Sequence, residues 1–200
     1  MPQALPDTPP TPAAPAADPG LLQPWRPDWE ERKAGKDCPH CALIAASDDQ
    51  PWGLKVFEGE YVTGILWRAG NNMRGYTVAL WNRGHACEPT DLAPAEAAGY
   101  WLEVTHLAAA ITAVADPAKM NYETLGNAVP HLHTHLIPRG RLDPAPHQPL
   151  PGWCFDAEPA PEDVFASVAD QIRSWISAHP TPYVGADASL TPGGSRHEDG

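Results

Sequence analysis

Nothing in this 200-residue chain approaches the ~20 consecutive apolar residues that a membrane helix needs. Basic residues are scarce as well. Lys and Arg number 13 against 25 Asp and Glu, a formal charge of −12 with histidine neutral. That balance argues against a sequence-independent grip on nucleic-acid backbones, which needs dense Lys and Arg. It leaves room for a small phosphorylated ligand held by local donors. Residues 1–20 lack the basic start and continuous apolar core of a secretory signal, so the expected compartment is cytoplasmic. Cysteine is limited to four residues, and disulfides are rare in the cytosol. The four therefore read as metal ligands, reactive thiols or packing groups. No internal repeat is present.

Proline, in contrast, is abundant at 25 residues, many of them near the two ends. Residues 1–27 are rich in Pro and Ala, and residues 181–200 are small, polar and Gly/Pro-rich. Such segments bury too little apolar area to offset their ordering entropy, so both read as disordered tails. Between them, 28–180 is expected to form one domain. Eight tryptophans and 42% hydrophobic residues are enough for its core.

Within that domain, Glu30, Glu31, Arg32 and Lys33 follow Pro27-Asp28 and precede Gly35, which predicts a short helix with acids first and bases last. Trp25 and Trp29 read as its anchors. Leu54–Phe57 and Tyr61–Trp67 read as a hairpin joined by Glu58-Gly59-Glu60. A polar loop from Arg68 to Arg74 leads to a third strand, Tyr76–Trp81, and Met120–Thr124 reads as a fourth. Pro94 opens a long helix that Pro117 ends, with Trp101, Val104, Leu107, Ile111 and Val114 as its core stripe. His106 within it reads as structural or exposed. Trp153, Cys154 and Phe155 form an apolar cluster. Pro161-Glu162-Asp163 opens a second helix, with Val164, Phe165, Val168, Ile172, Trp175 and Ile176 as its stripe, and it stops before Pro180.

The most informative stretch is His131-Leu132-His133-Thr134-His135-Leu136-Ile137-Pro138-Arg139. Its three histidines recur with period two, which puts their rings on one face of a strand, roughly 6.5–7 Å apart. Leu132, Thr134 and Leu136 then face a core. A solvated, His-rich edge strand is the plain alternative. A neutral imidazole nitrogen is a competent nucleophile toward phosphorus when an acceptor fixes the proton on its other nitrogen. His133, flanked by a ring on each side, is the best placed for that task. No acid lies near in sequence, so a backbone carbonyl is the expected acceptor.

Cys38-Pro39-His40-Cys41 admits three readings. A thioredoxin-like redox site would need a buried strand directly before Cys38, where Glu30 to Asp37 are polar and charged. Half of a tetrahedral zinc site would need two further Cys or His ligands. Incidental packing is the third.

The histidine run resembles the signature of the histidine triad (HIT) family, with Thr134 in one of the usual apolar places. Asn121 and Leu125-Gly126-Asn127 resemble the family's lead-in to that strand, with Asn127 where Gln is usual. The resemblance spans roughly Cys38 to Arg139. It implies an α+β fold with an antiparallel sheet of about five strands, two main helices and a homodimer. It implies a structural zinc held by Cys38, Cys41, His85 and His131, as in family members that carry CxxC. It implies attack by His133 on the α-phosphorus of a nucleotide conjugate through a nucleotidyl-histidine. His135 would contact the phosphate and leaving group, and Asn127 would help to hold the phosphate. Counting back from Gly75, Arg68 falls where the family places a ribose-binding Asp or Asn, and Tyr76 replaces the usual His after the Gly. Arg68 would meet a phosphate or carboxylate there, or face solvent.

The expected function is thus that of a nucleotide hydrolase or nucleotidyltransferase. Two other classes stay open: a catalytically inactive nucleotide-binding module, and a metal-dependent hydrolase that uses the triad itself as ligands.

Overall fold

The computed structural model describes residue 22 and residues 24–46, 49–50, 53–68, 73–152, 154 and 158–181. Of the expected tails, 1–27 and 181–200, all but residues 22, 24–27 and 181 lie outside them, as do the loop residues 69–72, Trp153 and Phe155. Two helices pack on one face of an antiparallel sheet. In chain order the elements are α1 (Trp29–Lys33), α2 (Pro39–Ala45), β1 (Asp49–Gln50), β2 (Gly53–Glu58), β3 (Val62–Trp67), β4 (Thr77–Trp81), α3 (Pro94–Ala115), β5 (Lys119–Glu123), β6 (His133–Arg139) and α4 (Glu162–Ala178). The sheet order is β1-β2-β3-β4-β6-β5, so the five expected strands are joined by a two-residue sixth at the edge. The expected α+β architecture is therefore observed.

The β2–β3 hairpin closes through Gly59, whose N–H donates to the Val62 carbonyl at 2.8 Å. The turn is gripped from α3. The fully buried Glu103 carboxylate accepts from the backbone N–H groups of Glu60, Tyr61 and Val62 at 2.8, 2.9 and 2.8 Å. Any side chain at 59 would collide with it, since a Cβ there would lie 2.2 Å from Oε2 of Glu103. A buried charge of this kind is tolerated because its oxygens are occupied by donors.

The main core lies between the sheet and α3 and α4. Val62, Leu66, Ala79, Tyr100, Val104, Leu107, Ile111, Leu132, Leu136, Phe165 and Ile172 are all buried in it. Two stripe positions differ from the sequence reading. Tyr100, not Trp101, enters the core, and Trp101 is 38% exposed. Val164 is likewise exposed, and the small Ala169 takes the buried place on α4. Both shifts follow from a wide apolar face, where neighbouring positions compete and the packing partner decides. Tyr100 also meets a need that hydropathy does not register. Its hydroxyl pairs with Thr134 Oγ1 at 2.8 Å, and Thr134 is paired in turn with Thr124 at 2.8 Å. That pairing explains why a threonine is accepted between two buried leucines of the triad strand.

A smaller cluster covers the opposite face of the sheet: Leu43, Ile65, Met73, Tyr76, Val78, Leu80 and Ile137. Leu43 brings α2 onto this face. The helix begins directly after Cys38, with Pro39 at its first position. His106 is structural: its ring packs against Phe57 and Trp175. Trp25 stacks on Trp29, ring centres 4.5 Å apart, but α1 buries no residue and Trp25 stays exposed.

Candidate active site and metal centre

The β4–β6 register sets Leu80 opposite His133 and Val78 opposite His135. Pairing continues past β6, where Trp81 N–H donates to the Leu132 carbonyl and Leu132 N–H to Ala86. Alternation then holds as expected. Leu132, Thr134 and Leu136 face the helices, while His133, His135 and Ile137 face the α2 side. The Leu132–Ala86 bond also holds the segment after β4 beside the triad. That is how His85 reaches His131, ring centres 5.3 Å apart.

His131, His85, Cys38 and Cys41 converge, with one ligand atom from each lying within 4.8 Å of the others. Cys38 Sγ and Cys41 Sγ are each 3.5 Å from His131 Nδ1, and Cys41 Sγ is 3.7 Å from His85 Nδ1. Tetrahedral zinc, with Zn–S near 2.3 Å and Zn–N near 2.0–2.1 Å, would separate S and N by about 3.6 Å. The cluster matches that spacing. The outer ring nitrogens point the same way. His131 Nε2 meets the Trp81 carbonyl at 2.8 Å, and His85 Nε2 meets the Lys33 carbonyl at 3.0 Å. A carbonyl only accepts, so both Nε2 atoms carry the proton and both Nδ1 lone pairs face the thiols. Gly35, at φ 83°, lets the chain turn against His85; a Cβ there would sit 3.0 Å from the ring. Burial and the neighbouring Cys38 push the Cys41 thiol up to about 11, so occupation by a metal would displace its proton. The redox alternative fails on local structure: a turn at 34–37, not a strand, precedes Cys38.

His133 is 6% exposed, and its Nδ1 lies 2.5 Å from the His131 carbonyl oxygen. The expected backbone acceptor is therefore present. Nδ1 carries the proton, and Nε2 has its lone pair free for chemistry. Burial lowers the His133 pKa, which favours the neutral ring. His135 packs edge-on against it, ring centres 4.9 Å apart. His135 Nδ1 meets the Tyr76 hydroxyl at 2.6 Å. Burial, then His133, lowers the His135 pKa to about 4, and burial raises that of Tyr76. Tyr76, a departure from the family pattern in the sequence, is thus the partner of the third histidine.

His40 carried no role in the sequence reading. Its ring stands perpendicular to His133 at 4.5 Å and to His131 at 5.6 Å. The signal was its place between Cys38 and Cys41, two candidate metal ligands.

Two residues expected to meet ligand make other contacts in this structure. Arg68 continues the parity of Gly64 and Leu66 and so emerges on the helix side of the sheet. There it pairs with Glu162 through both guanidinium nitrogens and lies 4.3 Å from the Phe165 ring centre. Asn127 is exposed, in a groove of about 690 Å³ lined with Trp25, Trp29, Lys33, Cys87 and Leu125. Neither Arg68 nor Asn127 is among the described contacts of His133 and His135.

Comparison with known proteins agrees with this geometry. Residues 57–142 match the family model of the HIT domain. Among solved structures, a histidine triad protein from Sinorhizobium meliloti 1021 is 28% identical, with a TM-score of 0.53 over 61% of this chain and 88% of that one. One from Marinobacter aquaeolei VT8 is 25% identical, with a TM-score of 0.54 over 63% of this chain and 90% of that one. A Zn-bound histidine triad family protein from Mycobacterium smegmatis is 24% identical, with a TM-score of 0.52 over 70% of this chain and 96% of that one. No curated protein matches the chain. The match to the HIT domain thus covers residues 57–142, and the triad strand lies within them.

Proposed function

We propose that this chain is a nucleotide hydrolase or nucleotidyltransferase acting at the α-phosphate of a nucleotide conjugate. The observation that carries the reading is the 2.5 Å contact between His133 Nδ1 and the His131 carbonyl. It leaves Nε2 as an uncommitted nucleophile on a buried, neutral ring. In the first step the Nε2 lone pair forms a bond to the α-phosphorus, and the bond to the leaving group breaks with its electron pair. The ring becomes a phosphorylated imidazolium, and the Nδ1–H to carbonyl bond strengthens as positive charge develops. His135 would donate to the developing negative charge. With the Tyr76 hydroxyl donating to Nδ1, its own proton sits on Nε2. Water or another acceptor then bonds to phosphorus, the P–N bond breaks, and its electron pair returns to Nε2. Asn127, exposed in the turn before the triad, is the proposed polar side chain for the phosphate by its place in the family pattern.

Zinc is the proposed cofactor. Cys38, Cys41, His85 and His131 would hold it, and four protein ligands leave no open position, so its contribution is to staple the N-terminal segment to the sheet. The alternative with the triad as catalytic metal ligands loses support, because His131 Nδ1 turns to the cysteines and His133 Nδ1 to a carbonyl. The binding-module reading retains one argument, the removal of Arg68 from the triad side. We further infer a homodimer and a cytoplasmic protein, with no nucleic-acid or membrane partner. The net charge of −12 supports the third inference. No described helix is long and apolar enough to cross a membrane.

Turnover in ¹⁸O-labelled water tests the reaction. With adenosine phosphoramidate or a dinucleoside polyphosphate, the label should appear on the nucleoside monophosphate released. Label found only on the other fragment would place attack elsewhere and contradict the reading.

A further inference from the structure

We propose that His40 binds substrate, its Nδ1–H donating a hydrogen bond to the phosphoryl group held at His133. The inference rests on the nucleotide reading above and extends it to a fourth imidazole. The other rings of this cluster each have a nitrogen committed. His131 is spanned by the thiols and the Trp81 carbonyl, His85 by Cys41 and the Lys33 carbonyl, His133 by the His131 carbonyl and His135 by Tyr76. Nδ1 of His40 is instead buried without a hydrogen-bond partner. A buried polar nitrogen left unpaired is costly, and such an atom beside a reactive group points to a partner that arrives with the ligand. The ring stands perpendicular to His133, centres 4.5 Å apart, close enough that a group bonded to His133 Nε2 comes within its reach.

The placement follows from the sequence. Cys38 and Cys41 are fixed by the metal centre, Pro39 stiffens the first turn of α2, and His40 lies between them. An unprotonated phosphoryl oxygen accepts and does not donate, so the ligand class is an anionic phosphoryl group met by a neutral N–H donor.

The test uses the full zinc-loaded chain, with adenosine monophosphate and adenosine as probes in isothermal titration and zinc content measured alongside. His40→Phe keeps the ring and removes the donor; His40→Gln keeps a donor of similar reach. The expected result is at least tenfold weaker binding of adenosine monophosphate by His40→Phe, adenosine binding unchanged, one zinc retained, and partial recovery in His40→Gln. Binding of the monophosphate within twofold of wild type in His40→Phe would overturn the proposal. So would no binding by the wild type, or loss of zinc together with binding. If the wild type forms no covalent adduct yet discriminates in this way, the covalent reading fails and the His40 contact stands.

Discussion

Nδ1 of His133 lies 2.5 Å from the carbonyl oxygen of His131, while the His131 ring faces two thiols 3.5 Å away. One residue therefore orients the candidate nucleophile with its backbone and the candidate metal with its side chain. The two functions are separable by substitution. Cys38→Ala and His131→Ala should each reduce zinc from one per chain to near zero, and His133→Ala should retain it. Atomic absorption on purified proteins checks this. Zinc retained without Cys38, or lost without His133, would contradict the assignment.

The Tyr76 hydroxyl lies 2.6 Å from His135 Nδ1 and orients the ring of the third histidine. Tyr76→Phe removes that one bond and keeps the ring, which stacks on His135 at 5.9 Å. A hydrogen bond of this type is worth about 1–1.5 kcal/mol, so kcat should fall roughly tenfold with KM little changed. Steady-state kinetics on a substrate the wild type turns over gives the answer.

Glu103 accepts three backbone N–H groups of the β2–β3 turn while fully buried. Glu103→Ala leaves those donors without their partner and should cost about 2–4 kcal/mol of stability. The denaturant midpoint should drop with little change in slope.

The pKa of His135 is lowered from 6.5 to about 4, chiefly by burial and then by His133. The folded state thus binds the proton more weakly than the unfolded chain. The stability contribution is present above pH 6.5 and is lost as pH falls toward 4. Between pH 7.5 and 4.5 the wild type should lose roughly 2 kcal/mol more than His135→Gln. Urea unfolding of both proteins at the two pH values isolates this residue from the other histidines. Equal losses would refute it.

The period-two histidines were legible from strand parity, and the Cys38, Cys41, His85, His131 set from the resemblance to family members that carry CxxC. The hairpin, the long helix and α4 were legible from apolar spacing and from Pro and Gly at their ends. Tyr76, His40 and Glu103 were not, since each acts on a residue far away in the chain: His135, His133 and the 60–62 turn. The surroundings of Arg68 were not legible either. A count of residues fixes a loop, whereas the face is set by the parity of the strand before it, which carries Arg68 to Glu162 and Phe165.

The central claim is that His133 becomes covalently nucleotidylated, and intact-protein mass tests it most directly. Wild type and His133→Ala would each be mixed briefly with adenosine phosphoramidate and with a dinucleoside polyphosphate. Both would be quenched at alkaline pH, since a P–N bond is acid-labile. The account predicts an adenylyl mass increment on the wild type and none on the variant. An increment that persists in His133→Ala, or turnover by the wild type with no increment at any quench time, would contradict it.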